Sequence, residues 1–301
     1  QNSYTGIGVT IAQDDDSGLF RVIGVLEDSP ARQAGVEIGD LLCAVDGRAL
    51  DGLASAEVKE IIAEKQGKVF DLTLRAQDGS ERTVTVSTAT LKTEPVKYEL
   101  LDSGIGDVKI KNFETGAGEG IISAVDALAE QGARGILFDV RNNPGGLLNE
   151  LIEALDHILP EGDIFISADK SGNENVKSSD ADCVELPMAV LMNENSYSAA
   201  EFFAAALSEY GWAELVGAHT TGKARSQINL VLIDGSAVHL STNSYLTPNR
   251  IDLAEAGGLA PDVPAALGEE DAAKLASGAL AYEDDAQLQA ALRGLKAGAE
   301  K

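Results

Sequence analysis

The chain has little of what several common chemistries require. Only two cysteines, Cys43 and Cys183, stand among 301 residues. That is too few for a disulfide framework, and their separation gives no metal-ligand spacing. Cys43 lies in the apolar run LLCAV and is expected to be a small buried side chain. Three histidines, His157, His219 and His239, are the whole stock of imidazole for a general base. Lysine and arginine number 23 against 49 acidic residues, a formal net charge of −26. Such a chain lacks the clustered cations that bind phosphate, so no nucleic acid is expected as a partner and acidic membranes are disfavoured. Its like charges keep molecules apart in solution. No apolar run approaches the roughly 20 residues of a membrane helix. The opening QNSYTGIGV has no basic stretch and no apolar core, so no signal peptide or anchor is expected within the sequence.

What is present divides into two stretches. Residues 1–92 read mostly as strands: FRVIGVL, DLLCAV, KVFDLTLRA and ERTVTVST are rich in β-branched and apolar residues. Asp78-Gly79 between the last two is a hairpin signal. Two short helices are expected. One opens at Ser29-Pro30-Ala31 and stops at Gly35; the other is SAEVKEIIAEKQG, with Val58, Ile61 and Ile62 at helical spacing. The segment TATLKTEPVKYEL is expected to be a linker. Over residues 93–301 helices and strands alternate: GIISAVDALAEQG, GILFDV, LLNELIEALDHIL, MAVLM, AAEFFAAALSEYG, AELVGA. GILFDV and MAVLM are apolar throughout, as strands covered on both faces are. The alternation predicts an α/β domain around a mainly parallel sheet with flanking helices. INLVLI and SAVHLSTNSYL read as a hairpin turning at Asp234-Gly235, and the stretch from about Leu267 as a helical tail. His157 falls with Glu150 and Glu153 on the polar face of its helix, where the histidine is expected to be solvated.

Three loops could carry chemistry. RNNPGGLL, Arg141 to Leu148, joins a strand to a helix. Backbone N–H groups of Gly145 and Gly146 at a helix entrance can hold an oxyanion, and two adjacent glycines let a carbonyl come close. The same Pro-Gly-Gly also reads as a plain turn. No Gly-Lys-Ser/Thr accompanies it, so it is not a phosphate loop. In NENSYSAAEF, Ser198 and Glu201 form a capping-box pattern, which by itself explains the serine. A helix N-terminus is also where an oxyanion is stabilised, so cap and nucleophile can coincide. In TTGKARSQ, Lys223 lies 223 − 198 = 25 residues after Ser198. Gln227, four residues further, shares its face in a helix or a strand and could hold the amine. A lone lysine also reads as a solvated charge; Arg225 and Ser226 read as bystanders.

EDSPARQAGVEIGDLLCAVDGRAL resembles the PDZ domains of bacterial proteases. In such domains the stretch that here reads Gly6-Ile7-Gly8-Val9 receives a peptide's terminal carboxylate on converging N–H groups, and the peptide adds as an edge strand. DVRNNPGGLL, NENSYSAAE, TGKARSQ and GLAPDV follow in that order. From about Tyr4 to Asp262 the chain resembles the carboxyl-terminal processing or tail-specific proteases, the S41 peptidases. The resemblance implies a β-rich PDZ domain over 1–92 and a peptidase core of crotonase/ClpP-like ββα type over 93–301. It implies a Ser198 nucleophile, a Lys223 general base, an assisting Gln227, and an oxyanion hole of backbone N–H groups from Gly145, Gly146 and Ala199. It implies protein or peptide substrates with apolar C-termini, no metal or cofactor, and an extracytoplasmic location in the cell envelope, periplasm or medium. The family's Ser-Ala-Ser-Ala-Ser-Glu is altered here at Tyr197 and Ala200. A helical N-terminal segment common in the family is absent, which leaves homo-oligomerisation open.

Serine needs a base, and a lysine with an ordinary pKa of roughly 10.4 is protonated at neutral pH. The pKa of Lys223 would have to fall by about 2 to 3, which burial can achieve and a neighbouring carboxylate would oppose. The expectation is therefore that no carboxylate contacts its amine. Three other readings compete: a Ser-His-Asp hydrolase using His219, four residues before Lys223; a non-catalytic PDZ-type binding or scaffold protein; and a crotonase-like acyl-CoA enzyme. The PDZ-like block and the Ser-to-Lys spacing argue against the last.

Overall fold

The computed structural model describes residues 3–14, 17–26, 28–92, 94–231 and 236–299. It falls into two compact units, Gln1–Thr93 with Ala273–Leu280, and Glu94–Ala272 with Ala281–Lys301.

The first unit holds β1 (Ser3–Gly6), β2 (Val9–Gln13), β3 (Phe20–Val25), α1 (Pro30–Gln33), β4 (Leu41–Val45), β5 (Arg48–Ala49), α2 (Ser55–Ala63), β6 (Val69–Arg75), β7 (Glu81–Ser87) and β8 (Ala89–Lys92). An antiparallel sheet runs β2-β3-β4-β6-β7, with β5 beside β4, and β1 pairs with β8. Local chemistry sets these limits. Ser29 Oγ accepts from Arg32 N–H at 3.2 Å and Pro30 takes the first position of α1. Glu57 accepts the Ala54 N–H at the start of α2 (2.8 Å). The Asp78-Gly79 turn closes the β6–β7 hairpin, with Arg75 opposite Glu81. Phe20, Val22, Leu42, Val58, Leu72 and Leu74 are fully buried between sheet and helices. Each contributes about 1.5–3 kcal/mol by leaving water. Cys43 is half-buried rather than buried, because it sits where the β4–β6 register shifts between Leu42 and Ala44.

The second unit holds β9 (Val96–Leu100), β10 (Gly106–Ile110), α3 (Ala117–Glu130), β11 (Ile136–Asp139), α4 (Leu148–Ile158), β12 (Gly162–Ala168), β13 (Glu174–Ser179), β14 (Met188–Met192), α5 (Ala199–Glu209), β15 (Ala213–Gly217), β16 (Arg225–Val231), β17 (Ala237–Leu246), α6 (Leu253–Ala256) and β18 (Val263–Pro264). Two helices follow, α7 (Glu269–Ser277) and α8 (Ala286–Ala299). The main sheet runs β18-β15-β14-β11-β10-β9; all its pairs are parallel except β9–β10. A second, antiparallel sheet runs β13-β12-β17-β16. TATLKTEPVKYEL is not a free linker: its ends form β8 and β9, each alternating well enough to find a partner strand. The Asp234-Gly235 turn lies outside the described residues.

The parallel strands are covered on both faces. Ile136, Phe138, Met188, Val190 and Leu215 join the core with α3, α4 and α5, while Leu137, Ala189, Leu191 and Val216 face Leu288, Ala291, Leu292 and Leu295 of α8. The period of two thus splits each apolar run between two cores. Glu150, placed on the polar face of its helix by the sequence, is buried: Gly116 at the N-cap of α3 has no side chain, and Glu150 Oε2 accepts the N–H groups of Gly116 and Gly118 (3.1 and 3.0 Å). His157 lies 2.9 Å from Asp126 of α3. Among the described residues no helix is long and apolar enough to cross a membrane.

Candidate active site

All three sequence loops leave the C-terminal ends of adjacent parallel strands. RNNPGGLL follows β11, NENSYS follows β14, and the residues up to Lys223 follow β15. In open α/β sheets that end is where ligands are bound.

The first two loops are locked together by backbone and amide groups. Asn142 N–H donates to Asn193 Oδ1 (2.9 Å), Asn193 Nδ2 donates to Asn142 Oδ1 (3.0 Å), and Tyr197 N–H donates to Asn143 O (2.9 Å). Ser196 is fully buried; its hydroxyl donates to Val140 O (2.8 Å) and accepts from Asn193 N–H (3.0 Å). Ser196 is therefore a structural tie. Tyr197, unexplained in the sequence, donates its hydroxyl to Asn195 Oδ1 (2.9 Å).

Ser198 differs from Ser196 in every respect. It is half-buried, its hydroxyl caps nothing, and its backbone is at φ 53°, ψ −119°. A non-glycine residue at positive φ is strained by about 1–3 kcal/mol and persists only where its surroundings impose it. Here Glu201 imposes it. Fully buried, its Oε2 accepts the N–H groups of Ser198 (3.0 Å) and Lys223 (2.8 Å), and its Oε1 accepts Gly222 N–H and the Thr220 hydroxyl (both 2.6 Å). One carboxylate thus ties the start of α5 to the Lys223 loop. The sequence reading saw Glu201 as half of a capping box and missed this second role. The Lys223 amine itself makes no ion pair among the described residues, and the side chain is exposed, not sunk in an apolar pocket. Gln227 is paired through its backbone with Ser241; its side chain, like that of His239, lies outside the described residues. Arg225 pairs with Asp252 (2.7 Å) and Ser226 with Thr242 (2.8 Å), both away from the chemistry.

Gly145 faces Ser198 directly. A Cβ there would stand 2.8 Å from Tyr197 O and 2.9 Å from both Ala199 N and Ser198 Cβ, and its φ is +86°. Its N–H, assigned to the oxyanion hole on sequence grounds, is taken by Asn143 Oδ1 at 2.8 Å, because the side chain of Asn143 folds back over the turn. Among the described residues none accepts from the N–H groups of Gly146 or Ala199. His219 points Nδ1 at the Thr220 carbonyl (2.9 Å), and no described carboxylate orients it.

In the first unit, residues Thr5 to Ile11 line a cavity of about 530 Å³ with Lys59, Ile62 and Ala63 of α2. β2 is the free edge of its sheet. Gly8, at φ +87°, passes so close to Ser29 that no Cβ would fit. Among the described residues none accepts from the Ile7 or Gly8 N–H groups.

Comparison with known proteins decides the family. A model of peptidase family S41 matches residues 104–265, more than half of the chain. The chain belongs to peptidase family S41. A PDZ-domain model matches residues 21–76. The chain is 31% identical over 294 residues to a "Carboxyl-terminal-processing protease" of Picosynechococcus, covering 96% of this chain and 69% of that protein. It is 30% identical to the "Carboxy-terminal processing protease CtpA" of Bacillus subtilis, over 91% of this chain and 58% of that one. The chain thus spans little more than half the length of some curated S41 relatives. Among solved structures, a photosystem II D1 C-terminal processing protease is 26% identical with a TM-score of 0.56, over 88% of this chain and 73% of that chain. An S41 protease structure from Bacteroides fragilis shares the fold, with a TM-score of 0.69 at 17% identity, over 98% of this chain and 83% of that chain.

Proposed function

We propose that this S41 chain is a serine endopeptidase that cleaves proteins recognised by their C-terminal tails, on a core of crotonase/ClpP-like ββα type. The observation that carries the reading is the strained Ser198 at the start of α5, facing Gly145 and tied to Lys223 through one oxygen of Glu201. Lys223 takes the proton of Ser198 Oγ as the oxygen attacks a peptide carbonyl. The oxyanion forms against the N–H groups of Gly146 and Ala199, at the positive end of α5. Gly145 contributes by having no side chain, and Gln227 steadies the amine. Lys223 then passes its proton to the leaving amine, and water hydrolyses the acyl-enzyme by the reverse path. The exposed lysine loses water, and with it part of its proton affinity, when the substrate chain covers it.

The PDZ cavity holds the tail: the last residue's carboxylate on the Ile7 and Gly8 N–H groups, its apolar side chain over Ile62, its backbone as a strand beside β2. The tail-processing relatives support this reading; an extracytoplasmic location is proposed with it. The test is an unstructured protein with an apolar C-terminus, offered to wild type, Ser198→Ala, Lys223→Ala and His219→Ala. Cleavage lost in the first two and kept in the third is expected. Cleavage that survives Ser198→Ala or Lys223→Ala removes the dyad. Binding without cutting by wild type would favour a scaffold protein.

A further inference from the structure

Arg141 opens the loop that carries Gly145 and Gly146, yet its side chain points away from the chemistry and is only 3% exposed. Four of its five N–H donors make hydrogen bonds, and Nη2 also lies in an ion pair. Nε and Nη2 donate to the two oxygens of Asp139 at the end of β11 (2.9 and 2.7 Å). Nη1 donates to Asp285 Oδ1 (3.0 Å) and Gln287 Oε1 (3.1 Å), and Nη2 also pairs with Asp285 Oδ2 (2.9 Å). Asp285 in turn accepts Leu288 N–H (3.0 Å) in the first turn of α8, and Gln287 Nε2 donates to Ala265 O (2.7 Å). One buried guanidinium therefore joins the root of the glycine loop to a helix 144 residues further along the chain.

Holding α8 in place does not require these charges. Leu288, Ala291, Leu292 and Leu295 already bury their side chains against Ile105, Leu137, Leu191 and Val216. A well-packed apolar group is generally as stabilising as a buried ion pair, which must first be stripped of water. What the guanidinium adds is direction, because its planar fork accepts partners only in fixed positions. The far end of the loop is fixed separately, by Phe113 N–H to Gly145 O (2.9 Å) and Leu147 N–H to Phe113 O (2.6 Å). Gly146 N–H hangs between these two anchors.

We propose that Asp285 and Gln287 are positioning residues for the oxyanion loop: through Arg141 they set where Gly146 N–H stands, so that the docked start of α8 is a working part of the catalytic centre. This rests on the reading of Gly146 and Ala199 as oxyanion donors. Misplacement of such a donor by about an ångström lowers turnover on the order of 100-fold without weakening binding elsewhere.

The test uses the full chain, an unstructured tail-bearing protein as substrate, and a peptide boronic acid, whose tetrahedral adduct with serine needs the same donors. The variant Arg141→Met/Asp285→Leu replaces the ionic link by an apolar one. The expected result is a kcat and a boronate affinity both down by about 100-fold, with KM, tail-peptide affinity and amide-exchange protection of α8 as in wild type. Wild-type kcat and boronate affinity in that folded variant would overturn the proposal. Should the double variant not fold, Gln287→Ala decides: removing one neutral hydrogen bond should lower kcat about fivefold at unchanged KM, and an unchanged kcat overturns it. Wild type and Ser198→Ala run alongside. A wild type that does not cut, or a Ser198→Ala that does, overturns the peptidase reading and this inference together, whereas failure of the inference alone leaves Ser198-dependent cleavage intact.

Discussion

Among the described ion pairs of the PDZ unit, the cation keeps between 24% (Lys65) and 41% (Arg21) of its side chain in water, whereas Arg141 in the peptidase unit keeps 3%. Pairs exposed on both sides, such as Arg75–Glu81 and Lys65–Asp46, are worth about 0–1 kcal/mol and could be removed with little effect; Arg82–Asp40 differs, because the Asp40 carboxylate is buried. The PDZ unit is held instead by its apolar core and by turn and cap residues. The peptidase unit sinks Arg141 and Glu201 beneath the loops proposed to be catalytic, where each fixes backbone that no apolar side chain could orient. A binding groove needs an edge strand and a cavity, which packing supplies; a catalytic loop needs individual N–H groups aimed at one point, which only directional bonds supply.

Substitutions can separate the two units. The largest effect is expected from Ser198→Ala, which removes the proposed nucleophile while leaving the proposed tail groove untouched. Cleavage should fall by on the order of 10⁴- to 10⁶-fold, with tail-peptide affinity, measured calorimetrically, unchanged. A parallel loss of both would mean that the units are not separable in this way.

Next is Glu201→Gln. The amide nitrogen must face one of the two donor pairs, Ser198 and Lys223 N–H or Gly222 N–H and the Thr220 hydroxyl. A buried donor without an acceptor costs about 1–3 kcal/mol, so stability in urea should drop by about 2–3 kcal/mol. Turnover should drop by roughly 100-fold as Ser198 and Lys223 drift apart. Wild-type turnover in the folded variant would show that Glu201 is only a cap.

The comparison also marks what could be read from the sequence. PDZ turns are written locally: Ser29-Pro30, Asp78-Gly79 and the period-two runs gave the right elements because neighbours in sequence decide them. The order of motif loops and the doubly covered strands were legible for the same reason. Contacts between distant residues were not. Nothing near Arg141 announces Asp285, nothing near Gly116 announces Glu150, and the Gly145 N–H looked free because the fold of Asn143 over the turn has no sequence signature. The exposure of Lys223 was likewise unread, since it depends on how β16 leaves the site.

A smaller effect, again in the peptidase unit, concerns Asp107. Its Oδ1 is buried without a partner among the described residues, and burial pushes its carboxyl up to about 6, with Lys109 and Arg141 opposing and Asp139 and Glu99 adding. An unfolded carboxyl titrates near 3.9. The folded chain therefore holds this proton more tightly than the unfolded one, so stability is full below about pH 4 and is lost as pH rises through about 6. The rise from the unfolded to the folded value corresponds to about 3 kcal/mol. Asp107→Asn, which cannot ionise, should be about 2–3 kcal/mol more stable than wild type in urea at pH 8 and no more stable at pH 4. An equal gain at both values would mean that packing, not charge, sets the difference.

The smallest expected effect returns to the PDZ unit and tests whether its charges matter anywhere. Among the described residues lining the proposed groove, Lys59 is the sole charged side chain, in a chain with twice as many acids as bases. An exposed cation on an otherwise neutral groove favours tails that carry an acidic residue upstream of their apolar end, by about 0.2–1 kcal/mol. Lys59→Glu reverses the sign, so an acidic tail should bind about fivefold more weakly while a neutral tail of the same apolar end binds as before. Because the interaction is screened within about 10 Å at 0.1 M salt, the difference between the two tails should shrink as salt is added. Equal weakening of both tails would instead mean that the lysine stem packs on the peptide, and selection by this groove would then rest on shape alone.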